Sequence, residues 1–354
     1  MYNFTGMKPS SQLAVRPIVI AFLLVGGIFL TARISAPQVQ ILQEQMEREI
    51  TARDRLFPGV GPGIKALKRD SAGRYYVLAA PSPVVQVFGA DGKSLAPIPR
   101  DTKGRDAIVY GEDLDVDAAG RVYVADRGAN VVKVFDPGGD LALSIPVVAP
   151  TSVVALPVGE IAVASLQSRD LVTIYDRTGK DLREFGDLSD LADHADLNRF
   201  LNIGRLADDP ASYLYYAFTY VPEPTVRKYD RFGYSSYEIS LTTIDVYPSA
   251  QALRRNISRV DQQNSAPDFR KVINAIAVDP ATEELWVALG DDLMKFDKAG
   301  DRVGRYRTLL PSGEGLTPTT ILIEPNRLLL ADDPHGIYEF ARPDLPAKPA
   351  TKSN

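Results

Sequence analysis

The stretch AGRVYVADRGANVVKVFDPGG, residues 119–139, decides the fold. Val122 and Val124 alternate with Tyr123 and Ala125, and Val132 and Val134 alternate with Lys133 and Phe135, so both runs divide their side chains between two faces as strands do. Asp, Arg, Gly and Asn separate the runs, and Pro137-Gly138-Gly139 follows the second, which is turn chemistry at both places. Working outward, the aromatic that ends the second run recurs: Phe88 in VVQVFGADGK, Phe135 here, Tyr175 in LVTIYDRTGK, Tyr229 in TVRKYDRFGY, Phe296 in DLMKFDKAGD and Phe340 in GIYEFARPD. The intervals between these positions are 47, 40, 54, 67 and 44 residues. A unit repeated at such a period cannot bury its own apolar faces and must be covered by its neighbours.

Upstream of each aromatic lies a first short strand (GIKALKRD, DLDVDAAG, SVVALPVG, GRLADDPA, AIAVDPAT, TILIEPNR), then a turn and a second strand (RYYVLAA, RVYVADR, EIAVASL, YLYYAFT, ELWVALG, RLLLADD). A more polar fourth strand, such as DLREFG or GRYRTL, follows the aromatic. Each unit is therefore a four-stranded antiparallel sheet rich in β-branched and aromatic residues. Six such sheets set radially cover one another, and closing the circle protects all but short outer edges. The fold class is all-β, a six-bladed β-propeller over residues 57–343, with Gly120, Gly139, Gly179, Gly233 and Gly300 at turns that call for positive φ. The sixth copy runs into LPAKPATKSN, which is too proline-rich to supply a fourth strand, and residues 344–354 read as a disordered tail. The expected donor of that strand is residues 50–57, which would clasp the last blade to the first. The two long intervals mark insertions with helical spacing at 186–204 and 246–272, the second of them basic through Arg254, Arg255, Arg259, Arg270 and Lys271. Loops of this length in a compact domain commonly carry function.

The 354 residues are 45% hydrophobic, enough for a substantial core. The 40 basic and 45 acidic residues give a net charge of −5, so a general nucleic-acid binder is not expected. No cysteine is present, which excludes disulfides, thiolate metal sites and cysteine nucleophiles. Residues 18–30 are unbroken apolar sequence behind Lys8 and Arg16, and residues 17–36 are long enough to span a bilayer if Arg33 snorkels. Cleavage after Ala36 or Ala32 would place Ile34 or Leu30 where a small residue is needed. Residues 1–36 thus read as a cytoplasmic tail and an uncleaved transmembrane signal-anchor helix. The propeller is then held at the cell membrane by a single pass, in the periplasm or cell exterior, and would be secreted only if the signal were cut. Val39, Leu42, Met46 and Ile50 form one stripe, so residues 37–56 read as a short helical stalk leading into the clasp.

The stretch DLDVDAAGRVYVADRGANVVKVFDPGGDL resembles the NHL repeat almost throughout, with AIAVDPATEELWVALGDDLMKFDKAGD and RYYVLAAPSPVVQVFGADGK similar in part. The other three copies depart from the pattern, with Ser165 in place of an Asp, YVPEP in a turn, and Ala341 after the last aromatic. The resemblance implies the fold over about 280 residues but no single activity. Amidating lyases of that class hold zinc with several histidines, whereas only His194 and His335 exist here. Lactonases similar to gluconolactonase use a Glu of the first blade, where this chain has Gly61-Pro62-Gly63-Ile64. No G-x-S-x-G elbow, P-loop or dinucleotide fingerprint occurs.

The turns between second and third strands should gather on one rim of the ring. They supply Asp126, Arg127 and Asn130, Arg169 and Asp170, Glu223, Asp291 and Asp292, and Asp332, Asp333 and His335 as candidate partner- or ligand-binding residues. His335 beside Asp332 and Asp333 is the best single acid–base candidate, and His194 reads as surface. No cofactor is expected; calcium is the ion that clustered carboxylates would suit. These observations lead to the expectation of a non-catalytic, membrane-tethered platform for a protein or peptide partner. The alternative is a metal-dependent hydrolase or lactonase working from the acidic rim.

Overall fold

The computed structural model describes residues 48–241 and 246–345, in which six sheets form a ring. Blade one is Ile64–Arg69, Tyr75–Ala79 and Val85–Phe88, with single bridges from Phe88 to Ser94 and from Val85 to Ile98 in place of a fourth strand. Blade two is Gly111–Val116, Val122–Asp126, Val131–Phe135 and Leu141–Pro146; blade three is Pro150–Ala155, Ile161–Ser165, Val172–Tyr175 and Asp181–Phe185. Blade four is Gly204–Asp208, Leu214–Phe218, Thr225–Tyr229 and Ser235–Ser240; blade five is Ala275–Val278, Leu285–Leu289, Asp292–Phe296 and Arg302–Leu309. Blade six is Thr320–Glu324, Arg327–Asp332 and Gly336–Ala341, completed by Arg55–Leu56. The first strand of every blade lies against the first strands on either side, including blade six against blade one, so the circle closes around an axial channel.

The opening stretch shows why. Val122 and Val124 pack with Tyr76 and Leu78 of blade one, while Tyr123, Ala125, Val132 and Val134 pack with Val153 and Ile161 of blade three. Both faces of the sheet are therefore buried, and the five glycines singled out above all have positive φ. At Gly233 a Cβ would also sit 2.5 Å from the Phe185 ring of the preceding blade, so the turn packs too closely for a side chain.

The segment entering the ring is stitched to three blades. Arg48–Thr51 pairs in parallel with the outer strand of blade five, Arg48 opposite Tyr306 and Thr51 opposite Leu309. Arg55 and Leu56 then pair antiparallel with Tyr338 and Ile337 of blade six. Phe57 is buried against the rings of Tyr75 and Phe88 in blade one, at 5.2 and 4.5 Å. Ile50 is thus in a strand, not at the end of a helical stripe: the open outer edge of blade five offers its backbone hydrogen bonds that a lone helical turn lacks. The chain's other end is held as well, Arg342 pairing with Asp279 of blade five at 2.7 Å and Asp344 with Lys295 at 3.0 Å.

The signal-anchor expected at 17–36 lies outside the described residues, as do residues 346–354 of the expected tail. Among the described residues no helix is long and apolar enough to cross a membrane. Two helices occupy the insertions: α1, Ala195–Leu201, and α2, Tyr247–Gln263. Strand order puts the turns after second strands, the connections between blades and both helices on one face, here called upper. The turns after first and third strands lie on the lower face.

Candidate functional site

The turn residues singled out from the sequence all lie on the upper face, but most are engaged within their own blade. Asp126 is fully buried; its carboxylate accepts the N–H groups of Val109 and Tyr110 at 3.0 and 2.9 Å and pairs with Lys133 at 3.0 Å. Asn130, at φ 55°, accepts the N–H of Ala149. Arg169 pairs with Asp170 at 3.1 Å, Asp291 with Arg307 at 2.9 Å and Asp292 with Arg305 at 2.5 Å. The Glu223 carboxylate accepts from Nε and Nη2 of Arg254 in α2, each at 2.6 Å. Asp332 accepts the Thr317 N–H and meets His335 Nδ1 at 3.1 Å, and Asp333 accepts the Gly63 N–H at 3.0 Å. Only Arg127 reaches a charge of another strand at the channel, Glu112 at 3.0 Å. Among the described residues no group of three or more His, Asp or Glu is placed to hold a metal ion.

The axial channel, about 670 Å³, is lined by the first strands of all six blades and by the turns that follow them, among them Asp70, Asp117, Pro157 and Asp209, so this volume opens on the lower face. Its wall is uneven. Blades one, two and four contribute Lys68, Asp113, Asp115, Arg205 and Asp208, whereas blades five and six contribute mainly Ile276, Val278, Ile321 and Leu322. The charges bind the blades together. Lys68 pairs with Asp115 at 2.9 Å, Asp115 accepts the Ala155 N–H, and Asp113 accepts the Ser152 hydroxyl and faces Arg205 at 3.6 Å. Ser152 in turn accepts the Leu206 N–H at 3.0 Å, so one polar chain spans blades two, three and four. Burial and the neighbouring Asp115 push Asp208 up to about 7, and burial likewise raises Asp113 in spite of Arg205 and Lys68.

At the upper end the balance of charge is reversed. Glu112 meets Lys65 at 3.3 Å and Arg127 at 3.0 Å, and its backbone carbonyl accepts Arg205 Nη1 at 2.9 Å. Burial works against the charge of Glu112, but Lys65, Arg127 and Arg205 hold it below the usual carboxylate range. Lys271, from the end of the second insertion, joins the same field and has no ion-pair partner among the described residues. By accessible surface Lys271 is exposed, so solvent screens this field; the protein packed around it, then Arg205 and Lys65, lower it to about 8.

Tyr220, in the turn after the second strand of blade four, lies within the field of Glu112, Arg205 and Arg127, and the insertions pack on it through Phe200. Phe200 of α1 stacks on Tyr220 at 4.8 Å, with Phe269 at 6.3 Å. Asp261 of α2 accepts the N–H groups of Asp193 and His194 at 2.8 and 3.1 Å and meets His194 Nδ1 at 2.6 Å, fixing one insertion to the other. His194 is thus part of a structural tie.

Sequence reasoning found Arg127, noted Tyr220 only as an aromatic suited to carbohydrate, and located the insertions, but missed Lys65, Glu112 and Arg205 and passed over Lys271 as one of five basic residues. A signal was present: GIKALKRD, GEDLDVD and GRLADD carry charges inside the innermost strands, where a closed ring has no need of them.

No family profile and no curated protein matches the chain. Solved structures do. Virginiamycin B lyase from Staphylococcus aureus matches with a TM-score of 0.53 and 13% identity over 83% of this chain and 100% of its own. A streptogramin B lyase matches at 0.54 and 11% identity over 82% of this chain and 86% of its own. A catalytically inactive histidine-to-alanine variant of the S. aureus lyase, with quinupristin, matches at 0.54 and 12% identity over 83% and 100%. At this identity the likeness establishes the six-bladed propeller. These three solved structures are lyases, and this corrects the expectation of a non-catalytic platform.

Proposed function

We propose that the chain is an enzyme whose upper channel mouth cleaves a C–O bond of an ester or lactone in an anionic substrate bearing an aromatic or apolar group. The observation that carries this reading is the convergence of Lys65, Arg127, Arg205 and Lys271 around one carboxylate, Glu112, beside the aromatic wall of Phe200 and Tyr220. A lysine lowered to about 8 is partly neutral near physiological pH, so Lys271 Nζ can accept a proton from substrate or from water. Lys65 and Arg205 stand where negative charge developing on an oxygen would be held. These roles serve elimination, in which the base removes a carbon-bound proton and the ester oxygen leaves, and equally hydrolysis, in which the base activates water. The lyases sharing the fold favour elimination. Because the acidic groups of the rim are dispersed in separate ion pairs, we place the chemistry on the basic mouth.

The test is to incubate the full chain with quinupristin, other cyclic esters and simple lactones and to weigh the products. Elimination opens a ring without change of mass, and hydrolysis adds one water. Lys271→Met should lower kcat by roughly 10²–10⁴-fold with KM little changed. In the wild type kcat/KM should rise with pH through about 8 and then level, because the protonated amine cannot act as the base. Turnover unaffected by Lys271→Met, or independent of pH across this range, would overturn the assignment.

We further propose that residues 17–36 hold the protein at a membrane with the propeller outside the cytoplasm. The apolar run at 18–30, flanked by Lys8 and Arg16, supports this.

A further inference from the structure

The repeats provide their own control for what the fold requires at each turn. On the lower face the turns after third strands read GADGK, DPGGD, DRTGK, DRFGY and DKAGD in blades one to five. The residue before the shared glycine is Asp91, Gly138, Thr178, Phe232 or Ala299, and the residue after it is Lys93, Asp140, Lys180, Tyr234 or Asp301. Small or charged residues therefore suffice at both places. Blade four alone among these five puts aromatics there, and neither is used for packing: Phe232 is 60% exposed and Tyr234 is 74% exposed. The turn is nonetheless rigid. Asp230 accepts the N–H groups of Phe232 and Tyr234 at 2.8 and 2.9 Å, and the Arg231 carbonyl accepts Arg183 of blade three at 2.5 Å. The Arg231 guanidinium lies over the Phe232 ring, 4.6 Å from its centre.

Two exposed aromatics and an arginine on a fixed lower turn suit the headgroup region of a bilayer, where amphipathic rings gather and a guanidinium can meet phosphate. The entering chain points to the same side. Arg48–Thr51 runs parallel to Arg302–Leu309, which climbs from the lower to the upper face, so the chain enters blade five, next to blade four, from below. The residues that precede it include the apolar run at 18–30.

We propose that the turn at residues 230–234 docks on the bilayer surface, with Phe232 and Tyr234 in the headgroup layer, so that the lower face is turned to the membrane and the reactive upper mouth away from it. This rests on the membrane reading of residues 17–36. The chain has no cysteine, so single reporters are clean: Phe232→Cys on the lower face and Tyr247→Cys, a residue 53% exposed on the upper face, each labelled with an environment-sensitive dye in the full chain. Reconstituted in phosphatidylcholine vesicles containing spin-labelled lipid, the dye at 232 should be quenched about two-fold or more and the dye at 247 should not. Equal quenching at both positions in protein that floats with the vesicles overturns the docking and leaves the anchor standing. Protein that fails to float removes the anchor and the proposal together. Shielding of the 232 dye in detergent that grows with protein concentration would show a second copy on the patch, which also overturns it. As a check on folding, Phe232→Ser with Tyr234→Ser should leave turnover unchanged, because the turn lies on the face opposite the mouth.

Discussion

At the scale of single residues, the same side-chain chemistry serves structure in one place and, in the function proposed above, reactivity in another. Asp126 ends the strand VYVAD and looks from sequence like a rim ligand, yet its oxygens are consumed by backbone N–H groups and by Lys133, which is itself buried. Asp126→Ala should therefore destabilise the protein by about 3–5 kcal/mol, because it removes the counter-charge of a buried ammonium and leaves it only the Ala107 carbonyl as acceptor. Urea unfolding measures this, and a loss below about 0.5 kcal/mol would return Asp126 to the pool of free rim groups. Lys271 shows the converse. Its sequence context, DFRKV, reads as a solvated basic face, and only the folded ring brings Lys65 and Arg205 within its field. Residues of blades one and four and of an inserted segment meet there, and no spacing along the chain encodes that meeting.

At the scale of elements, strand alternation was legible because both faces of each blade are buried, so Val122 and Val124 had to turn one way and Tyr123 and Ala125 the other. The helices were legible as insertions but their role was not. It depends on Asp261, whose carboxylate gathers the N–H groups of Asp193 and His194. Asp261→Ala should release the two insertions from each other. Hydrogen exchange at the Asp193 and His194 amides should quicken by about ten-fold or more, the cost of one or two lost bonds to a charged acceptor, while blade amides stay protected. Turnover should fall along with it, because α1 carries Phe200 of the aromatic wall. Unchanged exchange at these amides would show the insertions to be held by other contacts. The stalk shows where periodicity misleads: Ile50 fits a helical stripe, but a strand edge was available to satisfy its backbone.

At the scale of the whole molecule, the ring is held shut by its ends. Residues 48–57 bridge blades five, six and one, and Arg342 and Asp344 return from blade six to blade five. Phe57→Ala removes the ring that seats this segment on blade one and should cost about 3–5 kcal/mol in unfolding experiments, against little effect for an exposed residue such as Leu95. A closed ring also fixes which charges share the upper mouth, and on that the functional account depends. Competitive amine labelling of the full chain across pH, read by peptide mass spectrometry, titrates its lysines together. The account predicts that Lys271 becomes half reactive near pH 8, well below the ordinary lysine range of about 10.4. Lys271 titrating along with the exposed surface lysines would contradict it.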